Sequence, residues 1–167
     1  AGGGAAAVTR SNDTVWLGPV TAANRASVAA LELDATQSAF VTSAAESIEE
    51  ADEDPSARPR VIHAGDRIVG FLMYETLDAD GQPDVAWIYR FLIDKSEQGK
   101  GYGRAAMLAL IDEIKTMPQI TRVSICYMPE NDGARQLYLS IGFSEVGEDD
   151  WGEIVATLPL RPASALP

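Results

Sequence analysis

The 167-residue chain holds one cysteine and one histidine. Cys126 has no partner for an internal disulfide, so the fold does not depend on one, and a reducing, cytoplasmic home is expected. A zinc site built from His and Cys needs more of both than His63 and Cys126 provide, so no metal is expected. Cations are scarce as well: 13 Lys and Arg face 25 Asp and Glu, a net charge of −12. Nucleic-acid phosphates call for a basic face, so nucleic acid is not an expected partner. No run approaches the roughly 18 apolar residues of a membrane span, and no membrane partner is expected. The opening Ala-Gly-Gly-Gly-Ala-Ala-Ala has neither initiator Met nor the basic start and apolar stretch of a secretory signal.

What is present reads as an ordinary globular chain, 46% hydrophobic and 23% charged. A chain of this size buries about 70% of its unfolded surface, which is enough for a core without staples. Neither an internal repeat nor an interior Pro/Gly/Ser linker divides it. One domain over residues 14–160 is expected, after a flexible leader or expression remnant (1–13) and before an extended tail (161–167). The acidic surplus has two readings. It is a solvated surface that aids solubility, or a field that draws cationic ligands.

The pattern along the chain alternates strands and helices. A short strand over Thr14–Leu17 stops at Gly18-Pro19. Thr21 can cap a helix to about Leu33, and a second helix covers Gln37–Ala51 before Pro55 and Pro59. Arg60–His63 and Arg67–Glu75 flank a turn at Ala64-Gly65-Asp66, a hairpin signal. Val85–Ile93 is nearly all apolar, with Arg90 the exception, as in a strand covered on both faces. Met107, Leu110, Ile111 and Ile114 mark one buried helix stripe, and Ala134, Leu137, Tyr138 and Ile141 mark another. Asn131 can cap the second of these helices, and Gly142 suits its C-terminus. Between them Arg122–Tyr127 alternates as a strand, and two more strands, about Ser144–Val146 and Glu153–Leu158, close the domain. The class is α/β, with a largely antiparallel sheet and helices packed on it.

The segment Gln98-Gly99-Lys100-Gly101-Tyr102-Gly103 lies between a strand and a helix start. Glycines let backbone N–H groups approach an anion, and the helix start adds unpaired donors and a positive dipole end. This chemistry suits a pyrophosphate. A phosphate-binding loop of the Walker type needs Ser or Thr after Gly99-Lys100, where Gly101 stands. A dinucleotide fingerprint would begin closer to the strand end and carry an acidic residue near Val123. A plain glycine-rich turn remains the alternative.

Phe91-Leu92-Ile93-Asp94-Lys95-Ser96-Glu97-Gln98-Gly99-Lys100-Gly101-Tyr102-Gly103-Arg104 resembles the acetyl-coenzyme A signature of the GNAT superfamily of N-acetyltransferases, with Gln98, Gly101 and Gly103 at the signature positions. Asn131-Asp132-Gly133-Ala134-Arg135-Gln136-Leu137-Tyr138 with Gly142-Phe143 resembles the superfamily's second cofactor motif. The resemblance spans about Val15 to Leu158. It implies a mixed, largely antiparallel sheet of about seven strands flanked by about four helices. Tyr89–Asp94 together with the glycine loop is similar to the bacterial diamine and polyamine (spermidine/spermine) branch, as are Ala39-Phe40-Val41 and Gly152-Glu153.

The resemblance implies that acetyl-CoA is the co-substrate. Backbone groups of Phe91, Leu92 and Ile93 would meet its pantetheine amides. The loop residues Gln98, Gly99, Lys100, Gly101, Tyr102, Gly103 and Arg104 would hold the pyrophosphate. Asn131, with Ala134 beside it, would bond the pantetheine arm, cap its own helix, or do both. Tyr138 would protonate the leaving thiolate; packing in the core is the competing reading, because it also lies on the apolar stripe. An alkyl amine is free base only about once in a few thousand at pH 7, so its proton needs an acceptor. The strand positions where relatives carry a glutamate base hold Trp87 and Tyr89, leaving Glu75, Glu153 or a water chain. Phe40, Glu75, Tyr89 and Glu153 are candidates for the acceptor's site, and Glu46, Glu49, Glu50, Asp52, Glu53, Glu75, Asp78 and Glu153 for a cationic approach path.

The expected function is direct acetyl transfer, in a ternary complex, to a primary amine of a small cationic acceptor, with polyamines first. An antibiotic amine, a peptide N-terminus and a non-catalytic acyl-CoA-binding module are the alternatives. Family members are often dimers, so a homodimer is an open option.

Overall fold

The computed structural model describes residues 14–35, 42–77 and 81–161. Its strands are β1 (Val15–Gly18), β2 (Arg58–Ala64), β3 (Arg67–Leu77), β4 (Gln82–Ile93), β5 (Arg122–Tyr127), β6 (Ser144–Glu148) and β7 (Ile154–Pro159). Its helices are α1 (Arg25–Ala29), α2 (Ala44–Glu53), α3 (Tyr102–Lys115) and α4 (Asp132–Ile141), with a single 3-10 turn at Lys95–Glu97. The seven strands form one sheet in the order β1-β2-β3-β4-β5-β7-β6. Every neighbouring pair is antiparallel except β4 and β5. This is the α/β class expected, with the expected number of strands and helices. The leader, the tail beyond Arg161, Phe40 and Asp78 lie outside the described residues.

The front helices differ most from expectation. Helix α1 is five residues long and ends at Ala29, not Leu33. Its N-cap is Asn24, while Thr21 and Asn24 trade side-chain bonds: Thr21 N–H donates to Asn24 Oδ1 (2.8 Å) and Asn24 N–H to Thr21 Oγ1 (3.2 Å). This reciprocal pair has the geometry of a capping box, and Thr21 C=O accepts from Arg25 N–H (2.9 Å), so Thr21 acts as the cap expected of it. Helix α2 begins at Ala44, where Ser43 accepts from Glu46 N–H, and runs on to Glu53. The rest of the stretch expected to open it, 37–41, is outside the described residues.

The two faces of the sheet are covered separately. Ile62, Leu72, Tyr74, Ala86, Ile88, Val123 and Ile125 pack against Ala106, Met107, Leu110 and Ile114 of α3 and Tyr138 of α4. On the other face Val61, Phe71, Met73 and Leu92 pack against Val28 of α1 and Ala44 and Ile48 of α2. Met107, Leu110 and Ile114 have no accessible surface. Each large side chain buried in this way contributes about 1.5–3 kcal/mol.

A polar group crosses the first core. Glu113 of α3 accepts from Tyr74 Oη (2.6 Å) and from Arg60 Nε (2.9 Å). Burial, then the Glu113 carboxylate, push the Tyr74 phenol up to about 12. Glu113→Ala would leave a buried phenol and a half-buried guanidinium without their acceptor. The expected loss is about 1–3 kcal/mol, read as a lower urea midpoint at unchanged m-value.

One irregularity positions everything that follows. Pairing of β3 with β4 jumps from Met73↔Arg90 to Tyr74↔Ile88, so Tyr89 has no partner across the ladder. An extra residue inverts the alternation of faces and bends the strand. Ala86 and Ile88 face the α3 side before the bulge; Phe91 and Ile93 face it afterwards. Parallel pairing of β4 with β5 stops at the same level, at Ile88↔Ile125. Beyond it the two strands part.

Candidate active site

The parting of β4 and β5 opens a cavity of about 580 Å³. One wall is Trp87 to Ile93 of β4, and the other is Ile125, Cys126, Tyr127 and Met128. The glycine loop (Gln98, Gly99, Gly101, Tyr102, Gly103) closes one end with Asn131, Gly133, Ala134, Leu137 and Tyr138 of the α4 region. Asp149, Trp151 and Glu153 of the β6–β7 turn line it as well. Once β5 has diverged, the backbone of β4 beyond Ile88 lacks a ladder partner on that side. An exposed strand edge of this kind pairs readily with another extended amide-bearing chain.

The loop is built for open N–H groups. Gly99 (φ +77°) and Gly101 (φ +85°) are left-handed, a conformation other residues adopt only at a cost of about 1–2 kcal/mol. Gly101 caps α3 without a side-chain bond, and the first intrahelical bond runs from Ala105 N–H to Gly101 C=O. The first helical N–H groups therefore have no partner along the helix, and the positive dipole end faces the cavity. Asp94 holds the loop in place. Its carboxylate accepts from Ser96 N–H, Ser96 Oγ and Glu32 N–H (2.8 Å). Burial opposes ionisation of Asp94, and these hydrogen bonds outweigh it, so the group stays below the usual carboxylate range. Gln98 donates through Nε2 to Ile93 C=O (3.1 Å), tying the loop to the end of β4.

Most residues marked from the sequence converge here. Phe91, Leu92, Ile93, Gln98, Gly99, Gly101, Tyr102, Gly103, Asn131, Ala134, Tyr138, Tyr89 and Glu153 all line the cavity. Lys100 and Arg104 do not: Lys100 Nζ bonds Glu97 (2.9 Å) and Arg104 bonds Ser140 Oγ (3.0 Å). Asn131 caps α4, accepting from Ala134 N–H at 3.3 Å. Glu75 lies outside the lining, within reach of Ser56 Oγ (3.3 Å). Of the described acidic residues proposed for an approach path, Glu153 alone lines the cavity; Glu50 is bound to Arg90 and Asp52 to Arg25.

Tyr138 is 5% exposed and packs edge-on to Phe91, with Tyr127 and Phe143 alongside. Tyr127 gives its hydroxyl to Glu145 (2.9 Å), whereas the Tyr138 hydroxyl has no hydrogen-bond partner among the described residues. Burial, then Tyr127, raise the Tyr138 phenol well above its ordinary value, so it holds its proton at neutral pH.

Among the lining residues outside the sequence-derived set, Cys126 and Asp149 carry chemistry of their own. Cys126, Asp149 and Glu153 place a sulfur and two carboxylate oxygens within 4.8 Å of one another. Burial, then the charges of Asp149 and Glu153, push the Cys126 thiol up to about 12. Burial, then the Asp149 charge, raise Glu153. An Asp opening a turn, as in Asp149-Asp150-Trp151-Gly152-Glu153, announces a turn former and not a site residue. The alternation of β5 was the available signal, because it sets Cys126 on the face opposite Tyr127.

The family model described as "Acetyltransferase (GNAT) family" matches residues 11–143. The chain belongs to the GNAT acetyltransferase family. It is 32% identical over 135 residues to the "Probable spermine N(1)-acetyltransferase" of Bacillus subtilis subsp. natto (strain BEST195), covering 79% of this chain and 89% of that one. Among solved structures, the aminoglycoside acetyltransferase AAC(6')-Ib in complex with coenzyme A superposes with a TM-score of 0.72 at 20% identity, covering 87% of this chain and 94% of that one. The spermidine N-acetyltransferase from Vibrio cholerae in complex with CoA and spermine gives 0.69 at 17% identity, covering 88% and 96%. At such identities the likeness is one of fold. This GNAT chain is an N-acetyltransferase that uses acetyl-CoA as co-substrate. Among its described residues, no helix is long and apolar enough to cross a membrane.

Proposed function

We propose that this enzyme acetylates a primary amine of a small cationic acceptor, with polyamines such as spermidine and spermine first. The observation that carries the reading is the acidic and aromatic end of the cavity. Asp149 and Glu153 meet in the lining of this cavity, which Tyr89 and Trp151 also line. Carboxylates and aromatic faces together suit an ammonium group. The one guanidinium lining the cavity, Arg90, is offset in part: its Nη2 donates to Glu50 (2.9 Å) and its Nη1 to Tyr89 C=O (2.8 Å). The polyamine names of the curated relatives support the same acceptor class.

Acetyl-CoA would lie along the free edge of β4, its pantetheine amides paired with backbone groups of Phe91, Leu92 and Ile93. Its pyrophosphate would take N–H donors from Gln98 to Arg104, with Lys100 and Arg104 adding charge from outside the lining. Asn131 would bond the pantetheine arm in addition to capping α4. Transfer is direct. A thiol held near 12 supplies almost no thiolate, so Cys126 is a poor acyl carrier. Tyr138 is the acid that returns a proton to the departing sulfur. The dry setting that raises its phenol acts on the departing thiol in the same direction. The free thiol fits a cytoplasmic setting.

The test is thiol release from acetyl-CoA against putrescine, spermidine, spermine, lysine, an aminoglycoside and a short peptide, with product masses. Turnover concentrated on spermidine or spermine is expected. Turnover confined to the aminoglycoside or peptide would overturn the acceptor, and cofactor binding without turnover on any amine would favour a binding module.

A further inference from the structure

The site as described has an acid and no base. The face alternation of the strands shows where a base belongs. On β5, Val123, Ile125 and Tyr127 face the α3/α4 core that holds Tyr138. Ser124 and Cys126 therefore point to the other face, and Ser124 Oγ meets Thr157 Oγ1 there at 3.0 Å. On β7, Ile154, Ala156 and Leu158 face the α3/α4 core, so Val155 and Thr157 share the opposite face, and Val155 is the register partner of Cys126. Glu153 enters that strand on the same parity. Cys126 follows immediately after the last residue that pairs with β4, Ile125, so it stands at the apex where the strands part. The carboxylates within 4.8 Å of its sulfur stand at that apex too, across the sheet from Tyr138.

The turn that carries Glu153 is fixed by Asp149. Its Oδ1 accepts from Trp151 N–H (2.9 Å) and Glu153 N–H (2.8 Å), and its own N–H donates to Glu153 C=O (2.9 Å). Gly152, at φ +80°, closes the turn. The charged and titratable groups facing Glu153 are Asp149 on its own turn, Arg90 on β4 and Cys126 on β5.

We propose that Glu153 is the base that takes the proton from the acceptor nitrogen, with Asp149 as the positioning residue that holds it, on the face of the sheet opposite Tyr138. The inference rests on the amine-acetylation reading above. In the step, the bound ammonium first gives one proton to solvent, and the nitrogen lone pair of the neutral amine then attacks the thioester carbon from the Glu153 side. As the C–N bond forms, the nitrogen becomes acidic and its proton passes to the Glu153 carboxylate. The C–S bond then breaks, its electron pair leaves on sulfur, and the Tyr138 hydroxyl supplies that sulfur with a proton. Solvent takes the proton from Glu153 and returns one to Tyr138. The products are an amide and a free thiol. Burial, then the Asp149 charge, raise Glu153 against the opposing charge of Arg90, and a carboxylate raised above its ordinary value is the stronger base.

The experiment measures pH profiles of kcat and kcat/KM for wild type, Glu153→Gln, Asp149→Asn and the neighbouring control Glu148→Gln, using whichever amine the wild type turns over fastest. Acetyl-CoA Kd and Tm are measured alongside. Glu153→Gln should lower kcat about 100-fold, lose the acid limb of the profile, and keep Kd and Tm. Asp149→Asn retains an oxygen for the turn and removes the charge that raises Glu153, so its acid limb should move to lower pH. Glu148→Gln should match wild type. A Glu153→Gln enzyme with unchanged kcat and acid limb overturns the inference, as does one in which only the KM for the amine rises. Wild type that turns over amines other than polyamines would defeat the acceptor assignment and leave Glu153 to be judged by its own profile. Wild type that binds acetyl-CoA and acetylates none would defeat both.

Discussion

Tyr138→Phe is expected to lower kcat about 100-fold or more while leaving acetyl-CoA affinity and stability close to wild type. The Tyr138 ring is buried, while its hydroxyl, which has no hydrogen-bond partner among the described residues, is not among the fully enclosed polar atoms and lines the cavity. A hydroxyl that bonds nothing in the protein adds little to packing, so a fold shaped only by packing would do as well with Phe. The ring itself is needed: it contacts Phe91, Tyr127 and Phe143, and Phe preserves that surface. Single-turnover thiol release and thermal melting separate the roles. Lost turnover at an equal or higher Tm identifies the hydroxyl as chemistry. Unchanged turnover assigns Tyr138 to the core alone. The phenol is raised above its ordinary value, so it stays protonated as pH climbs through 7 to 9, and no alkaline loss of kcat in that range should trace to it.

Gly70→Ala is expected to be the most damaging single-methyl change in the sheet. Gly70 pairs with Ile93 across β3 and β4. A Cβ there would come closer than 3.0 Å to the Leu92 carbonyl oxygen, with Ile93 Cδ1 at 3.0 Å and Ile62 Cδ1 at 3.1 Å. The nearest obstacle is backbone, so no rotamer change relieves it. The cost should reach about 3 kcal/mol, a fall in Tm of about 6–12 °C for a domain of this size. The displaced segment, Leu92–Ile93, is the wall of the cavity proposed to pair with the pantetheine arm. KM for acetyl-CoA should therefore rise even where the variant is folded. A variant with wild-type Tm and KM would show that the two strands can separate without consequence. Gly103 is a useful contrast, because a Cβ there meets Leu137 Cδ2 at 3.5 Å, an ordinary contact.

The sequence by itself determined the class, the element order and one end of the site. Local signals sufficed for these: the apolar stripe of α3, the cap at Asn131, the left-handed glycine ending α4, and glycines where a strand gives way to a helix. They depend on neighbours in the chain, and so does the cofactor signature, whose backbone donors come from consecutive residues. The front helices were less legible in extent: Thr21 and Asn24 cap the first as expected, but it ends at Ala29 and not near Leu33. The other end of the site was decided by tertiary structure alone. Asp149 and Glu153 reach Cys126 only because β7 lies beside β5, and Glu75, equally eligible on paper, lies outside the cavity. No local pattern announces the bulge at Tyr89, since an apolar run covered on both faces hides its own alternation. Yet that one unpaired residue turns Phe91 and Ile93 toward the α3 side and stands where β4 and β5 part. A strand's pairing partners and its parity are properties of the sheet, and the sheet exists only once distant segments meet.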